Sequence, residues 1–106
     1  MNINEIAEEV YEGMKNNGFY LGDRRPLEEY ALFTTEIAEA TEAWRGGLEP
    51  VTIIDGKPEG EAIELTDCIM RIMAYFVVNN WDLEKILIKK HEYNKTRSKN
   101  HGGKRI

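Results

Sequence analysis

Two pairs of acids in this sequence stand at a spacing that permits joint chemistry. Glu36 and Glu39 are three residues apart, as are Glu64 and Asp67. On a helix, residues i and i+3 share a face, so each pair presents two carboxylates side by side. Leu32, Glu36, Glu39 and Ala43 form one helical row, and Glu64, Asp67, Arg71 and Val78 form a second. Apolar members in both rows set them apart from a purely solvated acidic face. If the two helices are antiparallel neighbours, the four carboxylates converge. Each close pair of like charges then costs roughly 4 kcal/mol at about 4 Å and an effective dielectric near 20. A hard divalent cation relieves that repulsion, and carboxylate oxygens are the ligands Mg2+ prefers. Mg2+ also keeps waters and phosphate oxygens in its shell, which points to a phosphorylated substrate. Neither pair includes a histidine, which argues against the Glu-x-x-His pattern of carboxylate di-iron bundles. The plainer alternative is a set of solvated helix residues, since 15 glutamates in 106 residues make such spacings common.

A second pattern lies further along the chain. Leu83, Ile86 or Leu87, Lys90, Asn94 and Arg97 follow one another at steps of three and four. The row begins apolar and ends cationic, so Lys90 and Arg97 are expected to point toward the other helices. Arg suits bidentate phosphate contact, Lys suits point-charge neutralisation, and Asn can hydrogen-bond a phosphate or sugar. His101-Gly102-Gly103-Lys104-Arg105 follows, with paired glycines that permit close backbone approach to an anion. The alternative is a basic terminus that complements a helix dipole and binds nothing. Acidic centre and cationic row fit one ligand, a metal–polyphosphate.

Four helices are predicted to carry these residues. The first covers about 4–17, with Ile6, Val10 and Met14 four apart and Asn17-Gly18 as its stop. The second starts after Pro26 and ends at Gly46-Gly47, with Tyr30, Phe33, Ile37, Ala40 and Trp44 as its core stripe. The third covers about 60–79, with Leu65, Ile69, Ile72, Met73 and Phe76 inward. The fourth opens at Asp82 as N-cap, turns Leu83, Ile86 and Leu87 inward, and ends between Tyr93 and Asn100. Between the second and third, residues 46–60 form a long loop rich in Gly and Pro, with 51–54 as one short extended piece before Asp55-Gly56. The expected architecture is an all-α helical bundle of about four helices with one long central loop, a single domain over residues 1–106, completed by oligomerisation.

Composition narrows the classes of function. The formal charge of −5 divides into −11 over residues 1–88 and +6 over residues 89–106. The acidic part argues against binding a nucleic-acid polymer, which needs a broad basic face, while the basic part keeps phosphate-bearing partners open. No apolar run approaches the roughly 18–20 residues a bilayer span requires, so no membrane partner is expected. The acidic N-terminus lacks the apolar core of a secretory signal, and the single Cys68 cannot close an internal disulfide. Both point to the cytoplasm. A domain this small buries only about two-thirds of its unfolded surface, so helices with more than one apolar face favour self-association.

Glu36-Ile-Ala-Glu39-Ala-Thr-Glu-Ala, then Lys57-Pro-Glu-Gly-Glu-Ala-Ile-Glu64-Leu-Thr-Asp67, resembles the MazG-like all-α nucleoside triphosphate pyrophosphohydrolases, whose signature is E-x-x-E, a variable loop, then E-x-x-D. Lys90-His-Glu-Tyr-Asn94-Lys-Thr-Arg97 and the ending His101-Gly-Gly-Lys104-Arg-Ile extend the likeness over about three-quarters of the chain, from Tyr30 to Ile106. The resemblance implies hydrolysis of a nucleoside triphosphate to the monophosphate and pyrophosphate, possible clearance of altered or surplus nucleotides, and a homodimer or homotetramer. It also implies Glu36, Glu39, Glu64 and Asp67 as catalytic residues and Mg2+ ligands, and Lys90, Asn94, Arg97 and Lys104 as phosphate-binding residues. One carboxylate would act as general base toward water, and the residues leave open which one. The competing reading is a helical regulatory or interaction protein that binds nucleotide or metal without turnover.

Other residues have narrower expectations. Trp44 and Trp81 are read as packing or interface residues, and Phe19 and Tyr20 as candidates for a base pocket. Arg71 either pairs with Asp67, the favoured reading, or reaches substrate phosphate. Lys57 sits in the central loop, from which it could close over phosphates. Cys68 is read as packing, and neither His91 nor His101 has metal-ligand spacing.

Overall fold

A computed structural model describes residues 1–19 and 25–97. Its elements are α1 (Ile3–Asn16), α2 (Pro26–Arg45), β1 (Thr52–Ile54), β2 (Lys57–Glu59), α3 (Glu61–Val78) and α4 (Leu83–Lys95). The fold is mostly helical with one small sheet, and no described helix is long and apolar enough to cross a membrane.

Local chemistry sets the helix ends. Asn2 and Glu5 form a reciprocal capping box at α1, each side chain bonding the other's backbone N–H. Pro26 opens α2 in the first turn, where a missing N–H costs nothing. Asp82 caps α4 by accepting from the Lys85 amide at 3.0 Å. α1, α2 and α3 stop alike, with a residue of positive φ (Gly18, Gly47, Asn80) followed by an amide that bonds back to the last turn.

The central loop is more ordered than one extended piece. Asp55 (φ 52°) and Gly56 (φ 78°) make a two-residue hairpin turn that pairs Thr52 with Glu59 and Ile54 with Lys57. Pro58 is tolerated because this two-stranded ribbon has only edges. At its exit Gly60 has φ 124°, and a Cβ there would collide with the carbonyls of Glu49 and Pro50. The Pro50 carbonyl accepts from the Ala62 amide at 3.0 Å, which ties the ribbon to the first turn of α3.

α3 is the central helix, packed against α2 on one side and α1 on another, while α4 packs against α1. Contacts between Tyr30 and Tyr75, Glu36 and Arg71, and Phe33 and Cys68 show that α2 and α3 run antiparallel, as expected. The expected stripes are met in part: Phe33 on α2 packs against Tyr75, and Ile72, Met73 and Phe76 on α3 are half-buried. Ala40 is buried, but Tyr30, Ile37 and Trp44 are exposed, Trp44 by 67%. On α3, Leu65 and Ile69 are exposed, whereas Cys68, Ala74 and Tyr75 are buried. Among the described residues α3 is the principal neighbour of α2, and Glu29, Glu36 and Ala40 are the buried residues of α2. Cys68 meets the Phe33 carbonyl across the contact, and Ala40 is the small buried residue of α2.

Candidate functional site

The carboxylates gather on the α2–α3 seam. Glu36, Glu64 and Asp67 each offer an oxygen, and the three oxygens lie within 4.8 Å of one another. Glu39 joins through a hydrogen bond to Glu64. All four acids expected to converge are therefore neighbours, because E-x-x-E on α2 faces E-x-x-D on an antiparallel α3. Glu36 is the deepest, its side chain only 9% exposed. Its Oε1 accepts from Arg71 Nε at 2.8 Å, while its Oε2 and Arg71 Nη1 are buried with no hydrogen-bond partner.

The electrostatics follow from that crowding. Burial, then the hydrogen bond and charge of Glu39, then the charges of Asp67 and Glu36 push the Glu64 carboxyl up to about 7. Two carboxylates can share a hydrogen bond only through a proton, and this shift favours holding one on Glu64 below about pH 7. Burial and the Glu36 charge also raise Asp67, opposed by the cations Arg71 and Lys57. Burial raises the Cys68 thiol, whose Sγ donates to the Phe33 carbonyl at 3.6 Å, which fits packing.

A hard cation fits this donor set. The cluster offers carboxylate oxygens without His or Cys, and one buried oxygen lacks a partner. Ligands on one Mg2+ at 2.0–2.1 Å sit roughly 3–4 Å apart, so small side-chain rotations would close the observed spread.

The cations differ from expectation. Arg71 pairs with Glu36 across the seam rather than with Asp67 on its own helix, because Glu36 is the deeper charge and in greater need of compensation. The Phe19 ring lies 5.9 Å from the Arg71 guanidinium carbon. Lys57, carried by the hairpin, makes an ion pair with Glu59 at 3.4 Å and acts electrostatically on Asp67. By contrast, α4 meets α1 through its first residues, and Lys90 and Asn94 in its second half and Arg97 just beyond it are exposed, with no close packing of α4 on α2 or α3 among the described residues. Lys90 and Arg97 instead flank the Tyr93 ring at 5.0 and 5.9 Å. Their expected inward orientation is not found, because Asn4 bonds both Asp82 and the Glu84 amide and fixes the start of α4 to α1. Trp81 packs edge-on against Tyr75 and Phe76 at the same junction. Lys104, His101 and Tyr20 lie outside the described residues. What sequence reasoning missed was the buried Glu29 and the hairpin beside the acids. The turn signal Asp55-Gly56 could have revealed the hairpin; Glu29 lies seven residues before Glu36, on the same helical line.

No family model matches the chain, and neither a curated protein nor a solved structure matches it.

Proposed function

We propose that this chain is an Mg2+-dependent nucleoside triphosphate pyrophosphohydrolase acting on altered or surplus nucleotides. The observation that carries the reading is the convergence of Glu36, Glu64 and Asp67, with the Glu36 Oε2 buried and unpartnered. The MazG-like spacing of the four acids supports it. Glu36, Glu39, Glu64 and Asp67 would hold the metal, which when bound supplies charge neutralisation and polarises phosphate oxygens. Water oxygen bonds to phosphorus, the phosphoanhydride beside the α-phosphate breaks, and pyrophosphate leaves with the bonding electron pair. One of the four carboxylates accepts the proton of that water.

The chain is proposed to work as a homodimer or homotetramer. Ile37 and Trp44 on α2 and Ile86, Leu87 and Ile88 on α4 are exposed apolar side chains that a second copy would cover. Lys90, Asn94, Arg97 and Lys104 would then meet substrate phosphates across a subunit boundary.

Pyrophosphate release from a panel of standard and altered nucleoside triphosphates with Mg2+ tests the reading. Glu64→Gln and Asp67→Asn are each expected to lower turnover by about 10²–10⁴-fold. Unchanged turnover in both would reject the site. The separation of α4 from the acids in one chain favours a second reading, binding without turnover. Calorimetry would then record nucleotide binding in the absence of any product.

A further inference from the structure

Arg71 occupies an unusual position for a structural ion pair. It reaches across the seam to Glu36 using Nε alone, at 2.8 Å, although a guanidinium can offer five donors. Nη1 is buried without a partner among the described residues, and the side chain as a whole is 19% exposed, so Glu36 leaves part of the guanidinium unused. Glu36 belongs to the three-acid group, which places a permanent positive charge beside the space a cation would enter. Two consequences follow from elementary electrostatics. A bare divalent ion meets the repulsion of the guanidinium and finds Glu36 already neutralised. A divalent ion carrying a polyphosphate brings oxygens that the unused guanidinium donors can take up, in the fork geometry that suits phosphate.

We infer that Arg71 makes the acidic site selective for a metal–polyphosphate over the free metal, by opposing the bare cation and binding the anion that accompanies it. Arg71 is thereby a substrate-selecting residue of the same site, and this role rests on the proposed metal–nucleotide reading. It also separates the duties of the two nearby cations. Arg71 is anchored in the seam, whereas Lys57 sits on the exposed hairpin with its ammonium in an ion pair with Glu59 at 3.4 Å.

The experiment compares full-length wild type with Arg71→Gln and Arg71→Lys. Gln keeps a donor for Glu36 but loses the charge; Lys keeps the charge but loses the fork. Calorimetry measures two probes, MgCl2 alone and inorganic tripolyphosphate with saturating Mg2+, so neither catalysis nor base identity enters. Arg71→Gln is expected to bind Mg2+ alone about tenfold more tightly and Mg-tripolyphosphate about tenfold more weakly. Arg71→Lys is expected to match wild type for Mg2+ alone within about twofold and to weaken only the tripolyphosphate complex. Opposite signs for the two probes are something a merely structural role would not produce. Parallel losses for both probes in Arg71→Gln, or an unchanged affinity for Mg2+ alone, would overturn the inference and leave the metal reading intact. Wild type that binds no Mg2+ in either form would reject the metal reading itself, and this inference with it. If Arg71→Gln does not fold, Arg71→Lys decides the matter: equal affinity for tripolyphosphate in Lys and wild type overturns it.

Discussion

The α2–α3 seam and helix α4 invert the usual division between interior and surface. The seam buries Glu29 and Glu36 and half-buries Glu64 and Arg71, beside the small buried Ala40 and Cys68. α4 leaves Ile86, Leu87 and Ile88 exposed along with its Lys residues. Burying charge costs several kcal/mol per ion unless it is paired; Arg71 meets Glu36, and burial together with Glu39 pushes the Glu64 carboxyl up toward its neutral form. Exposing aliphatic side chains forgoes roughly 1.5–3 kcal/mol for each that could be fully buried. One region thus carries chemistry at a cost in stability, and the other carries apolar area left uncovered within one chain.

The sharpest way to break the contrast is Arg71→Met. It leaves Glu36 buried without its counter-charge and is expected to lower unfolding free energy by about 3–5 kcal/mol in denaturant titration. Adding Glu36→Gln should recover most of that loss, since the isolated charge is then gone. A loss well under 1 kcal/mol would mean that the seam is not organised by this pair.

A smaller effect should appear in pH dependence without metal. The Glu64 carboxyl keeps its proton up to about 7 when folded but releases it near its ordinary 4.5 when unfolded. Across that window the folded state holds more protons, so stability falls as pH rises and levels off above about 7. Asp67, also raised, acts in the same direction. Asp82 is lowered by its bonds to Asn4 and the Lys85 amide, so its contribution is lost only at more acidic pH. Thermal melts between pH 5 and 7.5 check the slope, and Glu64→Gln should flatten it. A melting temperature that rises over this range would contradict the shared proton.

The smallest effect on the chain's own stability is expected on α4. Leu87→Ser should change it by no more than about 0.5 kcal/mol, because the side chain is already in solvent. The same substitution should shift sedimentation toward the monomer if a second copy covers this face. A loss above about 2 kcal/mol without any change in association would show that α4 packs within the chain.

Much of this arrangement could be read from residue order. The helix limits follow from Pro26, Asp82 and the Gly and Asn stops, all of which act over three or four residues. The pairing of E-x-x-E with E-x-x-D follows from helical spacing once the helices run antiparallel. The hairpin was only half legible: Asp55-Gly56 signalled a turn, while Pro58 spoke against a second strand. The choice of buried face was not legible. Ile37 and Trp44 are more hydrophobic than Glu29 and Glu36, yet the two acids are the buried ones.

By itself, then, the sequence determined four helices, their caps and stops, and two pairs of carboxylates able to meet. Those features depend on interactions within a turn or two of chain. Only the tertiary structure decided that Glu36 lies inside with Arg71 as its partner, that Lys57 borders the acids, and that Lys90 and Arg97 are exposed while the start of α4 is fixed to α1. These outcomes turn on which helix faces meet. That is set by contacts such as the charge pair formed between residues 35 positions apart, which periodicity does not encode.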